Sequence, residues 1–318
     1  MDPLIVLITG CSSGIGLSLA VKLANDEQKR FKVYATMRNL TKKEALEEAA
    51  GTTLNHTLEI KKLDVCCERS IKECVESIPG RRVDILINNA GVGLIGPIEC
   101  QSLEEMQRVF DTNFFGVVRM IKEVLPDMKK RRSGHIVMIS SVMGLQGIMF
   151  NDIYAASKFA VEGFCESLLY QTMKFNIFLT LVEPGPVVTE FEMKTHEEAM
   201  RGDYSKTDRE TADMFMNHYL KNTRAVFSSL GQTPEDVAEH VLHVITKKKP
   251  QFRHQTNQVY TPVTALKHAD PRGGLANDLF YKLVFQHASL MHASLHAIKL
   301  IRWKAHKVQQ GARMLGLL

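Results

Sequence analysis

The sequence predicts an α/β fold, a doubly wound parallel sheet in a single domain, followed by an amphipathic helical tail. Two patterns predict the sheet. Short apolar runs alternate with helical periodicities over the first two-thirds of the 318 residues, and such alternation builds parallel strands with helices on both faces. The first apolar run also ends in a glycine-rich turn, Thr9-Gly10-Cys11-Ser12-Ser13-Gly14-Ile15-Gly16. The tail is predicted by a change of composition, because from Leu279 onward the chain carries cations and no Asp or Glu.

The strands are expected at Leu4–Thr9, Lys32–Met37, Leu58–Leu63, Ile85–Asn88, His135–Ser140 and Phe178–Val182, which are rich in Val, Ile and Leu and bounded by Gly, Asp or Asn. Gly16–Asp26, Leu103–Leu125 and Tyr154–Met173 repeat apolar residues every three or four positions and read as helices. Past Pro184 the strand signals fade. Residues 187–231 carry Met193, Met200, Met214 and Met216 with Phe191 and Phe215, and read as a segment covering a substrate. Thr233-Pro234-Glu235-Asp236 then opens a helix with an N-cap, a proline at the first helical position and acids in the first turn. The expected division is a catalytic domain over 1–278 and a basic amphipathic tail over 279–318.

Composition narrows the function classes. At 45% apolar and 24% charged residues, the chain can bury a core and is not disordered. The net charge of +5 belongs to the tail: without Lys282, Lys299, Arg302, Lys304, Lys307 and Arg313 the remainder stands at −1. A near-neutral body argues against a nucleic-acid surface. Cys11, Cys66, Cys67, Cys74, Cys100 and Cys165 show no spacing suited to zinc, and no metal site is expected. Cys11 inside the glycine turn and Cys165 on a helix do not suit a disulfide framework, which favours a reducing, cytosol-facing compartment. Met1-Asp2-Pro3 lacks the basic start of a secretory signal, and the run from Leu4 to Ile8 is too short for a signal core or a membrane span.

The glycine turn lies between a strand and a helix, the context in which such a motif holds a dinucleotide. Gly10 permits the tight turn. Gly14 and Gly16 let backbone approach a pyrophosphate, whose charge the helix N-terminus receives. Thr9, Ser12, Ser13 and Ile15 complete the expected contact set. The end of the second strand selects the cofactor, since an acid there would bind the adenosine ribose of NAD, whereas an arginine accommodates the 2′-phosphate of NADP. The sequence reads Ala35-Thr36-Met37-Arg38-Asn39, so Arg38, assisted by Ser12, points to NADP(H). Asp64 and Val65 follow the third strand and are placed beside the adenine. Asn88-Asn89-Ala90-Gly91 ends the fourth strand, at the edge where open α/β sheets bind ligands, and Asn89, Ala90 and Gly91 join the cofactor set.

Tyr154 and Lys158 lie thirteen and seventeen residues beyond Ser141. A tyrosine has an unperturbed pKa of about 10 and is a poor base at neutrality. A neighbouring ammonium favours its phenolate, and Lys158 projects from the same helix face four residues on. From there the lysine also reaches the cofactor ribose. Ser141 can pin a substrate oxygen within reach of the phenol. This is equipment for interconverting an alcohol and a carbonyl by hydride transfer, with Tyr154 as general acid/base. A non-catalytic NADP(H)-sensing protein would need the turn, but not Ser141, Tyr154 and Lys158 together.

The set Thr9-Gly10-x-x-x-Gly14-x-Gly16, Asn88-Asn89-Ala90-Gly91, Asn113, Ser141, Tyr154-x-x-x-Lys158 and Pro184-Gly185 resembles the short-chain dehydrogenase/reductase family over about residues 4–250. The resemblance implies a Rossmann-type sheet, usually of seven strands. It also implies that Asn113 joins the catalytic group by holding a helix kink and a water. Val187 and Thr189, after Pro184-Gly185, would lie at the nicotinamide, with Thr189 on its carboxamide. Tyr34-Ala35-Thr36-Met37-Arg38, Phe150-Asn151-Asp152 and Ala155-Ala156-Ser157-Lys158-Phe159-Ala160 resemble a narrower branch acting on retinoids and 17β-hydroxysteroids. That branch implies interconversion of all-trans-retinal and all-trans-retinol, with estrone/estradiol as the alternative. It further implies homodimers through the helices containing Leu103–Leu125 and Tyr154–Met173, and a photoreceptor outer-segment setting.

An apolar pocket is expected from Val142, Met143, Leu145 and Met149, with Phe150 beside them, under the methionine-rich segment. Unbranched methionines suit an irregular, elongated ligand, although core filling explains any single one as well. His218 is expected on a helix surface. From Leu290 to Val308, helical spacing gathers Leu290, Ala293, Ala297, Ile298, Ile301 and Val308 on one side, and His292, His296, Lys299, His306 and Lys307 on the other. Trp303 lies off the apolar face. Such a helix cannot span a bilayer but can lie peripherally on an anionic membrane surface. Packing on the enzyme body or a solvated end remains open.

Overall fold

The computed structural model describes residues 2–287, 289–290 and 293–300. Its order is β1 (Leu4–Ile8), α1 (Gly14–Ala24), β2 (Phe31–Met37), α2 (Glu44–Ala50), β3 (Leu58–Lys62), α3 (Glu68–Glu76), β4 (Ile85–Asn88), α4 (Leu103–Phe110), α5 (Gly116–Arg131), β5 (Gly134–Ile139), α6 (Asp152–Met173), β6 (Ile177–Glu183), α7 (Glu190–Met200), α8 (Arg209–Asp213), α9 (Lys221–Leu230), α10 (Pro234–Ile245), β7 (Arg253–Gln255), α11 (Thr261–Ala269) and α12 (Gly274–Tyr281). The seven strands form one sheet in the order β3-β2-β1-β4-β5-β6-β7, and every pairing is parallel.

Side chains alternate across the strands and bury both faces. Val6 and Ile8 of β1 pack with Leu19 and Leu23 of α1 and Val237 and Val241 of α10. Leu7, between them, faces the opposite layer, where Met120 and Val124 of α5 and Val161 and Cys165 of α6 meet Leu86 and Ile136. Leu7 pairs with Tyr34 on one side and Leu86 on the other. The strand order reverses between β1 and β4, and the crevice above the carboxyl ends of such a pair is where open α/β sheets take ligands.

Six strands lie where the apolar runs place them. β7 is only Arg253-His254-Gln255 and has no apolar alternation to announce it. The single helix expected over Leu103–Leu125 is α4 and α5 joined through a π-helical turn at Asp111–Phe115, which contains Asn113. α12 runs across residue 278 and continues as a π-helical turn over Lys282–Gln286.

A third apolar cluster stands apart from the two that flank the sheet. Phe215 is fully buried and lies 5.0 Å from Phe150, 4.9 Å from Tyr204 and 5.7 Å from Tyr219, measured between ring centroids. Met214 and Met216 pack against this cluster, whereas Met193 and Met200 are exposed. These four methionines therefore fill a small core or face solvent, and none meets the main cavity.

Candidate active site

A cavity of about 800 Å³ runs from the glycine turn to α12. Every strand end contributes a loop to its wall, including that of β7 through Val259 and Tyr260. Gly10, Ser12, Ser13, Gly14 and Ile15 line it after β1, Arg38 after β2, and Asp64 and Val65 after β3. Asn89, Ala90 and Gly91 follow β4, Ser141, Val142, Met143 and Met149 follow β5, and Val187 and Thr189 follow β6. Tyr154 and Lys158 reach the cavity from the opening turns of α6.

The glycine turn is shaped by backbone contact. Gly10 has φ +73°, and a Cβ there would stand 2.8 Å from Ala90 Cα. A Cβ on Gly16 would lie 2.3 Å from the Gly10 carbonyl oxygen. Thr9 and Gly16 are supports behind the wall: Thr9 Oγ1 accepts from the backbone N–H groups of Asn89 and Ala90, both at 3.0 Å. Asn89 Nδ2 donates to the carbonyls of Thr9 at 2.9 Å and Gly10 at 3.0 Å, which ties the turn to the end of β4.

These residues fit a dinucleotide. Ser13 caps α1 without a side-chain hydrogen bond, and no acid stands in the first turn. The opening N–H groups therefore face the cavity with no carboxylate competing for them. Arg38 makes no hydrogen bond or ion pair among the described residues. It also borders a second cavity, lined by Lys61, Lys62 and Arg69 together with Asp64 and Glu73. Thr189 lies across from the turn, its Cγ2 3.3 Å from where a Gly14 Cβ would be.

Asn113 is buried behind Gly91. Its Oδ1 accepts from Val92 N at 2.8 Å, and its Nδ2 donates to Val92 O at 2.9 Å and Ser157 Oγ at 3.0 Å. It braces the β4 loop against α6 and does not line the cavity. A Cβ on Gly91 would be 3.4 Å from Asn113 Oδ1 and 4.0 Å from Lys158 Nζ, so these three residues adjoin.

Ser141, Tyr154 and Lys158 come together, but the charge relation differs from the one expected. Lys158 Nζ donates to the Ile139 carbonyl at 3.0 Å and stands 5.6 Å from the centre of the Tyr154 ring. The phenol is pushed up, not down, by burial and then by the charge of Glu192, with the Ser141 hydroxyl opposing. Burial pushes Lys158 down to about 8, with Glu162 opposing. Desolvation outweighs attraction here and favours the neutral form of the Tyr154 phenol.

Two expected pocket residues turn away. Leu145 is buried beyond the short turn at Val142–Gly144, and its carbonyl accepts from Lys267 Nζ at 2.5 Å. Phe150 has φ +61° and points into the Phe215 cluster. In their place Phe191, Tyr219, Phe227, Phe280, Val284 and Leu295 line the apolar end. Glu192 also lines it. Its carboxyl has no hydrogen bond or ion pair among the described residues, and burial raises it to about 7. No periodicity marked these residues, since they come from four separate helical segments. His218 reaches the rim with its side chain about half exposed.

The tail meets this cavity. Within 293–300 the buried residue is Leu295, which lies outside the predicted apolar side, while Ala293 and Ala297 are exposed. His292, Ile301, Trp303, His306, Lys307 and Val308 lie outside the described residues. No helix among the described residues is long and apolar enough to cross a membrane.

A nucleotide crevice at the strand reversal, with a serine, a tyrosine and a lysine converging at its inner end, defines a dehydrogenase of the short-chain class. The short chain dehydrogenase family profile matches residues 4–200, and the chain belongs to that family of oxidoreductases. It is 54% identical over 296 residues to human "Retinol dehydrogenase 8", covering 93% of this chain and 95% of that protein. It is 42% identical over 286 residues to human "17-beta-hydroxysteroid dehydrogenase type 1", covering 88% and 86%. Among solved structures, a serine dehydrogenase complexed with NADP+ superposes with a TM-score of 0.63 at 30% identity, covering 79% of this chain and 94% of that one.

Proposed function

We propose that this chain is an NADP(H)-dependent oxidoreductase interconverting all-trans-retinal and all-trans-retinol. The observation that carries the substrate is the 54% identity, over nearly both full lengths, to a retinol dehydrogenase. The apolar end of the cavity agrees with a long hydrocarbon tipped by one oxygen. For NADP(H), the support is Arg38 with no partner among the described residues, beside Lys61, Lys62 and Arg69 at the second cavity.

Bound NADPH supplies the hydride. Thr9 and Asn89 keep the glycine turn in shape, the α1 N-terminus receives the pyrophosphate, and Arg38 with Ser12 takes the 2′-phosphate. Asp64 and Val65 flank the adenine, and Val187 and Thr189 hold the carboxamide end. Ser141 donates a hydrogen bond to the carbonyl oxygen, Tyr154 delivers its phenolic proton as charge builds there, and Lys158 supports the phenolate left behind. Asn113 holds the loop and helix that position Lys158. Val142, Met143 and Met149, with the helical segments opposite, exclude water from the reacting carbon.

A 17β-hydroxysteroid substrate is the second reading, favoured by the 42% identity to a steroid dehydrogenase. Offering the purified protein NADPH with all-trans-retinal or estrone separates them: kcat/KM is expected to be higher for retinal, and a strong preference for estrone reverses the assignment. Exposed Phe115, Tyr170 and Met173 support homodimer formation through the α4–α5 pair and α6. Exposed Leu275, Leu279, Phe285, Leu290 and Leu300, next to Lys282 and Lys299, support peripheral contact with an anionic, cytosol-facing membrane. A photoreceptor setting is part of the same proposal.

A further inference from the structure

Outside the cavity lining, behind Ser141, three carboxylates share one guanidinium. Arg253 of β7 donates to Glu183 Oε1 of β6 at 2.7 Å, to Glu166 Oε1 of α6 at 2.6 Å and to Glu162 Oε2 of α6 at 2.5 Å. The other oxygen of Glu162 accepts from the hydroxyl of Ser140, the residue before Ser141. Glycine at 144 makes that approach possible, because a Cβ there would lie 2.9 Å from Glu162 Cγ, Glu162 Oε1 and Ser140 Oγ. The backbone on either side of Ser141 is fastened as well, with Ser140 N donating to Val182 O at 2.8 Å and Val142 N to Pro184 O at 2.9 Å.

Glu162 also stands one helical turn beyond Lys158 on α6, so the two share a face. We propose that Glu162 is a positioning residue for the proton-transfer group, fixing the Ser140–Gly144 segment that presents the Ser141 hydroxyl and lending its charge to the Lys158 ammonium. This rests on the assignment of Ser141, Tyr154 and Lys158 given above.

The charges that face Glu162 are Lys158, Glu166 and the Cys165 thiol on its own helix, Glu183 on β6 and Arg253 on β7, with His268 acting on Glu183. Burial pushes Glu162 up to about 7; the Ser140 hydroxyl and Arg253 oppose this, and Glu183 adds to it. A buried lysine loses its proton more easily than an exposed one, and a carboxylate nearby resists that loss. Removing the carboxylate must therefore lower the pKa of Lys158.

The test uses the full chain and two readouts. Acetylation of Lys158 by acetic anhydride, followed by peptide mass spectrometry across pH, gives the midpoint of its ionisation without any turnover. The high-pH limb of kcat/KM for NADPH-dependent reduction gives the proton-transfer group in action. In Glu162→Gln both are expected to move down by about one pH unit. Two carboxylates remain around Arg253 in that variant, so its charge stays matched. Glu162→Asp keeps the charge but shortens the reach; both midpoints should hold while kcat/KM falls about tenfold through Ser140. A folded Glu162→Gln protein with both midpoints unmoved overturns the proposal, and so does a Glu162→Asp protein whose midpoints shift. If Glu162→Gln does not fold, Glu162→Asp alone decides. Should the Lys158 midpoint follow Glu162 while Tyr154→Phe still turns over, the catalytic assignment fails and the charge coupling stands.

Discussion

The two ends of the cavity are built by different means. At the cofactor end the walls are backbone, and glycines are required because a single methyl at position 16 would meet a carbonyl oxygen at 2.3 Å. At the substrate end the walls are side chains from α7, α9, α12 and residues 293–300, and many apolar residues of suitable size would serve. A backbone wall constrains sequence tightly and can be read from it. A side-chain wall spreads the constraint over many positions, where volume matters more than identity.

That contrast can be broken or sharpened by substitution. The largest effect is expected from Gly16→Ala, since both neighbours that meet the new methyl, the Gly10 carbonyl and Asn89 Nδ2, belong to the tie holding the turn. NADPH affinity, followed by cofactor fluorescence, should fall at least about 100-fold, in line with the loss of two or more hydrogen bonds to charge. Arg38→Asp comes next. The ratio of NADPH to NADH efficiency should fall about 10- to 100-fold, the worth of one charge-assisted pair; an unchanged ratio in steady-state assays removes Arg38 from the site. Smallest is Val284→Ala at the substrate end, where KM for retinal should rise no more than about tenfold with kcat unchanged. An effect as large as that of Gly16→Ala would erase the distinction.

Legibility follows the same physics. Strands β1, β2, β4, β5 and β6 are largely buried and read as mainly apolar runs, whereas β7 is three polar residues whose arginine serves the carboxylate cluster. Tyr154, Lys158 and Ser141 were visible from spacing, but their electrostatics were not. Burial and Glu192, both set by the rest of the fold, leave the phenol raised, and the Ile139 carbonyl takes a hydrogen bond from the Lys158 ammonium. Asn113 carries no local signal of its own. Only the family resemblance implies a helix kink at Asn113, and the structure has a π-helical turn there. In the tail, periodicity located a helix but not its buried side, because Leu295 is held by the cavity and not by the helix's own apolar face.

The two ends meet at Tyr154, and the central claim is that its hydroxyl moves the proton. Tyr154→Phe keeps the ring and removes that hydroxyl. NADPH binding and NADPH-dependent reduction of all-trans-retinal should be measured on the same preparation. Binding is expected to stay within about threefold of the parent protein while kcat/KM drops at least about 100-fold, the contribution of a positioned general acid. Turnover near the parent rate with binding intact would contradict the claim.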